Sequence, residues 1–516
     1  MDTQKFYRFF FPLLCLVMTI TSTIGSAQAS PVQQTETDFA AIDAYVQEQM
    51  DNLGIPGVAL GIIQNGQVAH LQGFGVAGLS RRAVTPKTPF YLGSVTKPFT
   101  ALAVMQLVEE GKIDLDAPVQ TYLPWFRLAD EEASATITVR HLLNQTSGMS
   151  TKDGNRFWAY QQTLEKAVRG LEDVELVHPV GTTYEYCNFN YIISGLIVEV
   201  VSGQSYADYV TEHIFEPLDM RHSYASLAPA QADGLSDGHI IMFGRVFKDG
   251  RVRSPAALPS GFLMVSAEDM AHFAMAQLNE GRYGNSSILS PQGIAEMHTP
   301  TVPQGDGGYW GIGWDVGEYD GMPTIARVGD TGHFHATLII QPEIDLAIVL
   351  LANVSGFEHL SSRVIDATGI GVIEMLNGKP AAPASVPFLM HLLYWSLLLT
   401  PLLQILGILF VWRKRQAIKI WGAILTVILN LAVVFLILSL AQNQMPLRSL
   451  LVFNPELGYA AIIAAAIGIG WSVIFTAIYL MKLRSKRGFH EGDSHEHNQT
   501  NRENSSSKNL EIVESV

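Results

Sequence analysis

Ser94 and Lys97 stand three residues apart at the head of a helical pattern that ends at Gly111. On a helix that spacing puts both side chains on one face, so a hydroxyl and an amine come within reach of each other. The amine can take the serine proton only where burial or a neighbouring cation lowers its pKa, which makes the pair useful inside a cleft and idle at a surface. A serine at a helix N-terminus also has backbone N–H groups beside it to stabilise a developing oxyanion. The plain alternative is an N-cap serine followed by a solvated lysine, and Ser-x-x-Lys alone does not separate the two.

A second group, Tyr186-Cys187-Asn188, precedes an apolar helical run. A phenol near the serine can pass a proton between hydroxyl and leaving group, and an amide can grip a substrate carbonyl. A lone Tyr more often packs in a core with its hydroxyl satisfied, so context must decide. Cys187 could compete as a nucleophile, but packing is its expected role. His333 and His335 alternate along a candidate strand and would share a face. A metal pair there is conceivable, yet no third ligand is suggested, and one rim residue plus one packed residue account for both. No metal or cofactor is implied.

These residues need elements to hold them. Val58 to Gln64 and Gln67 to Leu71 flank Asn65-Gly66, a two-residue hairpin signal. Near the other end, Ala336 to Gln341 and Leu346 to Leu351 flank Pro342-Glu343-Ile344-Asp345, a second candidate hairpin. Helical runs over Thr100 to Glu110, Tyr191 to Val201 and Ala267 to Asn279 lie between them. One mixed sheet joining the two ends, covered by helices, is the arrangement this predicts for residues 40–376.

Ser-x-x-Lys, then Tyr-x-Asn, then a Gly-containing strand late in the domain resembles the serine β-lactamase and penicillin-binding-protein superfamily, in its class C β-lactamase and D-alanyl-D-alanine carboxypeptidase branch. Supporting stretches are Gly54 to Ala59, Gly111 to Val119, Val139 to Met149, Phe215 to Met220 and Gly311-Ile312-Gly313-Trp314, all within residues 40 to 360. The resemblance implies an α/β domain of the α+β kind, with a largely antiparallel sheet flanked by helices and a helix-rich lobe. It also implies Ser94 as the acylated nucleophile, Lys97 as its general base partner, Tyr186 sharing proton transfer and Asn188 positioning the substrate amide. The third motif of the family, Lys or His, then Ser, Thr or Gly, then Gly, falls on Arg327-Val328-Gly329. Arg327 cannot exchange a proton near neutral pH, although its charge could bind a substrate carboxylate, and Val328 lacks a hydroxyl. The oxyanion hole would use the N–H of Ser94 and that of Asp330, donors that do not depend on side-chain identity.

The rest of the chain says where such a site would work. With 516 residues, 48% apolar and a mean hydropathy of +0.19, the chain exceeds one soluble domain, and the apolar excess lies after about residue 387. The net charge of -15 argues against nucleic acid, which demands clustered Lys and Arg. Residues 1–29 carry Lys5 and Arg8, an apolar run and the small-residue stretch Ser26 to Ala29, a signal-peptide pattern, with an uncleaved anchor as the alternative. Cleavage after Ala29 would remove Cys15 and leave Cys187 as the only cysteine.

Asn377 to Pro387 reads as a semi-stiff linker. Three apolar stretches follow within residues 388–481, about Phe388 to Trp412, Ile420 to Leu440 and Leu457 to Met481, each long enough to span a bilayer. Arg413, Lys414, Arg415 and Lys419 lie after the first span and Lys482, Arg484, Lys486 and Arg487 after the third, whereas Ala441 to Glu456 has only Arg448. That bias places the catalytic domain outside and the C-terminus inside, a multi-pass membrane protein. Residues 482–516 read as a disordered tail whose histidines have no fixed geometry for a metal.

The leading expectation is a membrane-anchored serine hydrolase acting through an acyl-enzyme on D-alanyl peptides, β-lactams or small esters, with the lipid bilayer and a peptidoglycan peptide as partners. A penicillin-binding sensor signalling through its membrane helices, and a dead hydrolase kept as a scaffold, are the competing readings.

Overall fold

Asn65 and Gly66 both take positive φ, 53° and 69°, the mirror-image turn that suits the right-handed twist of a hairpin. They join β1 (Gly57–Gln64) to β2 (Gln67–Gly75). The structure is a computed structural model that describes residues 37–477, apart from 79–80, 157–162, 243–244, 249–254, 306, 356–360, 384–387, 414–427, 429–450 and 452–454. All the elements of the fold lie in the unit Phe39–Val516.

Six further strands complete the sheet: β3 (Val302–Pro303), β4 (Tyr309–Trp310), β5 (Asp315–Tyr319), β6 (Met322–Asp330), β7 (His335–Gln341) and β8 (Leu346–Ala352). Their order is β3-β4-β5-β6-β7-β8-β1-β2. The second expected hairpin is β7–β8, turned by Pro342–Ile344 and by Asp345 at φ 49°. Val58 sits opposite Ala352, so the two ends of the domain do share one sheet. The expectation of a mixed sheet needs correction, because every pairing in it is antiparallel. A parallel pairing occurs only in a small separate sheet, between Val354–Ser355 and His239–Met242, among the described residues.

Side-chain alternation decides what the central strands touch. Along β1 and β8, Val58, Leu60, Ile62, Ile348 and Leu350 point to one core, while Ala59, Ile63, Ala347, Val349 and Leu351 point to another. The first core lies under α1 (Phe39–Leu53) and a late helix carrying Ile365, Val372 and Ile373. The second is closed by the helix-rich lobe between the hairpins. Being covered on both faces, these strands read as apolar runs rather than half-polar ones. Leu350→Ala would cost about 2–5 kcal/mol by opening a cavity there.

In the lobe, α2 (Lys97–Glu109) is buried on every side from Lys97 to Met105, and α3 (Asn188–Ser202) from Phe189 to Val198. A helix apolar all round belongs in an interior, so Lys97 enters the core with it. α4 (Ala267–Leu278), capped by the Ser266 side chain on the Asp269 N–H, backs β1 and β8. α5 (Ser361–Leu376) is the late helix over the first core. After it, Ala382 accepts from the Tyr45 hydroxyl at 3.2 Å and Lys379 pairs with Asp320, so the start of the expected linker lies against the domain.

An apolar helix, α6 (Phe388–Arg413), coincides with the first expected span. The helix Pro455–Ala477 is the one described helix that is long and apolar enough to cross a membrane. The signal peptide, nearly all of the second span and the tail fall outside the described residues.

Candidate active site

Gly93 has φ 54°, and a Cβ there would stand 2.4 Å from the Asp330 nitrogen. Gly329 shows the reverse: its Cβ would meet Leu92 O at 2.0 Å and Ser94 N at 2.6 Å. Two glycines therefore let the end of β6 lie directly against the turn Gly93–Thr96 that leads into α2. The backbone amides of Ser94 and Asp330 end up side by side because no side chain separates them.

Ser94 Oγ lies 2.5 Å from the Tyr186 hydroxyl and 3.1 Å from Lys97 Nζ. Lys97 Nζ also donates to Asn188 Oδ1 at 2.8 Å and to the Ser260 carbonyl at 2.7 Å. Its side chain has no exposure to solvent. Burial lowers the amine pKa well below its ordinary value, and the Arg327 cation pushes it the same way. Tyr186 responds to burial in the opposite sense: its pKa is raised, with Arg327 and the Ser94 hydrogen bond opposing the rise. The phenol stays neutral while the amine is driven towards neutrality.

Arg327 Nη1 pairs with Asp315 at 2.7 Å, Nη2 donates to the Tyr186 hydroxyl at 3.2 Å and Nε to the Ser94 carbonyl at 3.3 Å. The guanidinium lies 4.7 Å from the ring centre of Trp310, whose indole stands edge-on to Tyr186. Arg327 is 5% exposed, whereas its neighbour Val328 is 40% exposed, as alternation along β6 requires.

The Beta-lactamase family model matches residues 42–367 of the 516. The chain belongs to the β-lactamase family. Within that family's reach, penicillin-binding protein 4 of Amycolatopsis lactamdurans is 31% identical over 368 residues, 66% of this chain and 94% of that protein. Protein flp of Staphylococcus aureus (strain MW2) is 27% identical over 342 residues, and the match spans 63% of this chain and 66% of that protein. Among solved structures, the octameric penicillin-binding protein homologue from Pyrococcus abyssi superposes with a TM-score of 0.60 at 27% identity, covering 70% of this chain and 82% of that one. The expected superfamily and the largely antiparallel fold with its helices are thus those of the β-lactamase family.

The structure gathers Ser94, Lys97, Tyr186, Asn188, Arg327, Gly329 and Asp330 at one place. Asn188 bonds Lys97 and, through Nδ2, Asn155 at 3.2 Å. His333 and His335 are both buried, at 1% and 2% exposure, and no cluster suited to a metal occurs among the described residues. Cys187 is buried with its thiol pKa pushed up to about 12, chiefly by burial. Sequence reasoning missed Asp315, Trp310, Asn155 and the Ser260 carbonyl. Asp315 directly follows the stretch Gly311 to Trp314, but only the β5–β6 register, with Asp315 opposite Ala326, shows that it reaches Arg327.

Proposed function

We propose that this chain is a serine acyl hydrolase held at the outer face of a membrane, with Ser94 acylated by an amide or ester substrate. The observation that carries this reading is the Ser94 hydroxyl set between a buried lysine and the Tyr186 phenol, at 3.1 Å and 2.5 Å. A neutral amine has two N–H donors and one lone pair. Asn188 Oδ1 and the Ser260 carbonyl take the donors, which leaves the lone pair for the Ser94 proton. Ser94 Oγ then attacks the carbonyl, and the oxyanion forms against the amides of Ser94 and Asp330. Tyr186 gives its own proton to the leaving group and is reprotonated at the expense of the Lys97 ammonium, giving the acyl-enzyme, and water attack releases the acid.

Arg327 acts in this reading through Tyr186, in place of the role of substrate-carboxylate ligand that its charge suggests. β-Lactams are the substrate class that similarity to penicillin-binding protein 4 supports, and D-alanyl peptides are the class that the resemblance of the motifs implies. Small esters follow from the same chemistry. The membrane part of the reading draws on the apolar helix Pro455–Ala477 and on the Lys and Arg clusters after Trp412 and after Met481. Those clusters support three spans, a catalytic domain outside and a cytoplasmic C-terminus.

Steady-state turnover of a D-alanyl-D-alanine peptide, a chromogenic cephalosporin and p-nitrophenyl acetate by the full chain in detergent tests the proposal. Turnover of at least one, lost in Ser94→Ala, is the expected result. Turnover that survives in Ser94→Ala would place the chemistry elsewhere.

A further inference from the structure

Behind the strand that carries Asp330, one histidine sits between two carboxylates that come from different elements. His335 opens β7 and is 2% exposed. Its Nε2 lies 2.8 Å from Asp366 Oδ1 on α5, and its Nδ1 lies 3.5 Å from Asp330 Oδ2 at the end of β6. Thr337 donates its hydroxyl to the same Asp366 oxygen at 2.7 Å. Asp330 is held from two more sides, since the Gly332 N–H donates to its Oδ1 at 2.6 Å and the Ser355 hydroxyl to its Oδ2 at 2.6 Å.

No step of acyl transfer uses this ring. Burying an imidazole between two acids is unfavourable unless the ring is charged and both acids are engaged. Burial by itself would drive the His335 pKa down, but Asp366 and Asp330 outweigh it and bring it up to about 10. The charged groups that act on the ring are thus Asp366 from α5 and Asp330 from β6, while Thr337 on its own strand and Ser355 contribute neutral hydroxyls to the two carboxylates. Asp330 joins this cluster to the site. Its side chain belongs to the buried network, and its backbone nitrogen lies at Gly93, next to the nucleophile.

We infer that His335 is a positioning residue: clamped between Asp366 and Asp330, it fixes the turn Asp330–Phe334 and so places the Asp330 amide that receives the oxyanion. The catalytic consequence rests on the acyl-transfer reading above, whereas the clamp itself does not. His335 touches no substrate. Its effect passes through the Asp330 side chain to the backbone of the same residue, and α5, packed on the far face of the sheet, becomes part of the support of the site.

The test uses the full chain in detergent, with His335→Gln, Asp366→Asn and Asp366→Glu beside the parent. With p-nitrophenyl acetate, kcat in His335→Gln and Asp366→Asn is expected to fall by about tenfold or more with KM little changed, because a displaced oxyanion donor acts on the transition state. Affinity for phenylboronic acid, whose tetrahedral adduct mimics that state, falls in proportion, and Asp366→Glu recovers most of both. Amide hydrogen exchange across residues 329–334 rises in the two damaging variants while α2 and α3 exchange as in the parent. Unchanged kcat with unchanged exchange would overturn the inference, and so would loosening spread evenly over the domain, the signature of a merely structural histidine. If the parent turns over no ester and Ser94→Ala behaves alike, the acyl-transfer reading fails separately, and exchange at residues 329–334 then decides whether His335 holds the turn.

Discussion

The Arg327 guanidinium donates to the Tyr186 hydroxyl at 3.2 Å while its other terminal nitrogen is taken by Asp315 at 2.7 Å. A cation that composition alone would offer to a substrate carboxylate is therefore engaged inside the protein. Arg327→Ala is expected to lower kcat about a hundredfold for carboxylate-bearing and neutral acyl donors alike, with their KM ratio unchanged. Steady-state kinetics on a matched pair of esters with one leaving group checks this. A KM rise confined to the carboxylate ester would show that Arg327 reaches the substrate.

Gly329 tests the approach of β6 to the nucleophile. Any Cβ at this position collides with Leu92 O and Ser94 N, at 2.0 Å and 2.6 Å. Backbone cannot give way as a flexible side chain does, so the strand must retreat and carry the Asp330 amide with it. Gly329→Ala should slow acylation by at least about a hundredfold, the scale of losing one oxyanion donor. Stopped-flow acylation by p-nitrophenyl acetate measures it, and a rate within a few-fold of the parent would mean that the strand end plays no part.

The pH dependence follows from Lys97. Burial first, and Arg327 second, lower its pKa well below 10.5, so the neutral amine is already present at pH values where a solvated lysine is charged. Acylation needs that neutral form, and kcat/KM should rise with pH along a limb whose midpoint lies below 10.5. Arg327→Met removes the second cause and should move the limb to higher pH. A limb that stays in place would show that the Arg327 charge does not act on the amine.

Much of this site is legible in the chain because its motifs are local. Ser94 and Lys97 meet by helical spacing, Asn65-Gly66 dictates its own turn, and Tyr186 and Asn188 precede an apolar helix that can only be buried. What escapes notice is set by register and long-range packing. Asp315 reaches Arg327 from the neighbouring strand, Ser260 offers a carbonyl that carries no side-chain signature, and His335 finds Asp366 on a helix packed on the sheet. The alternation that made His333 and His335 look paired along one strand does not hold, since β7 begins at His335 and His333 lies in the turn before it, and nothing in it reveals which carboxylates face the second ring.

Cys187 lies inside the second motif but is sealed in the core, with its thiol pKa pushed up to about 12. A thiol so placed is a poor nucleophile. Cys187→Ala should retain activity within a few-fold, and a thiol reagent such as iodoacetamide should leave the folded parent active. Inactivation by iodoacetamide that Cys187→Ala prevents would reveal a reactive thiol near Ser94.

The whole of this chemistry turns on Ser94 becoming covalently acylated. Intact-mass spectrometry of the full chain in detergent, incubated with a fluorescent penicillin and with p-nitrophenyl acetate beside Ser94→Ala, tests it most directly. An acyl adduct is expected with at least one reagent and absent from Ser94→Ala, with a lifetime that tells a hydrolase from a slow penicillin binder. A folded parent chain that forms no adduct and releases no product, or an adduct that persists in Ser94→Ala, would contradict it.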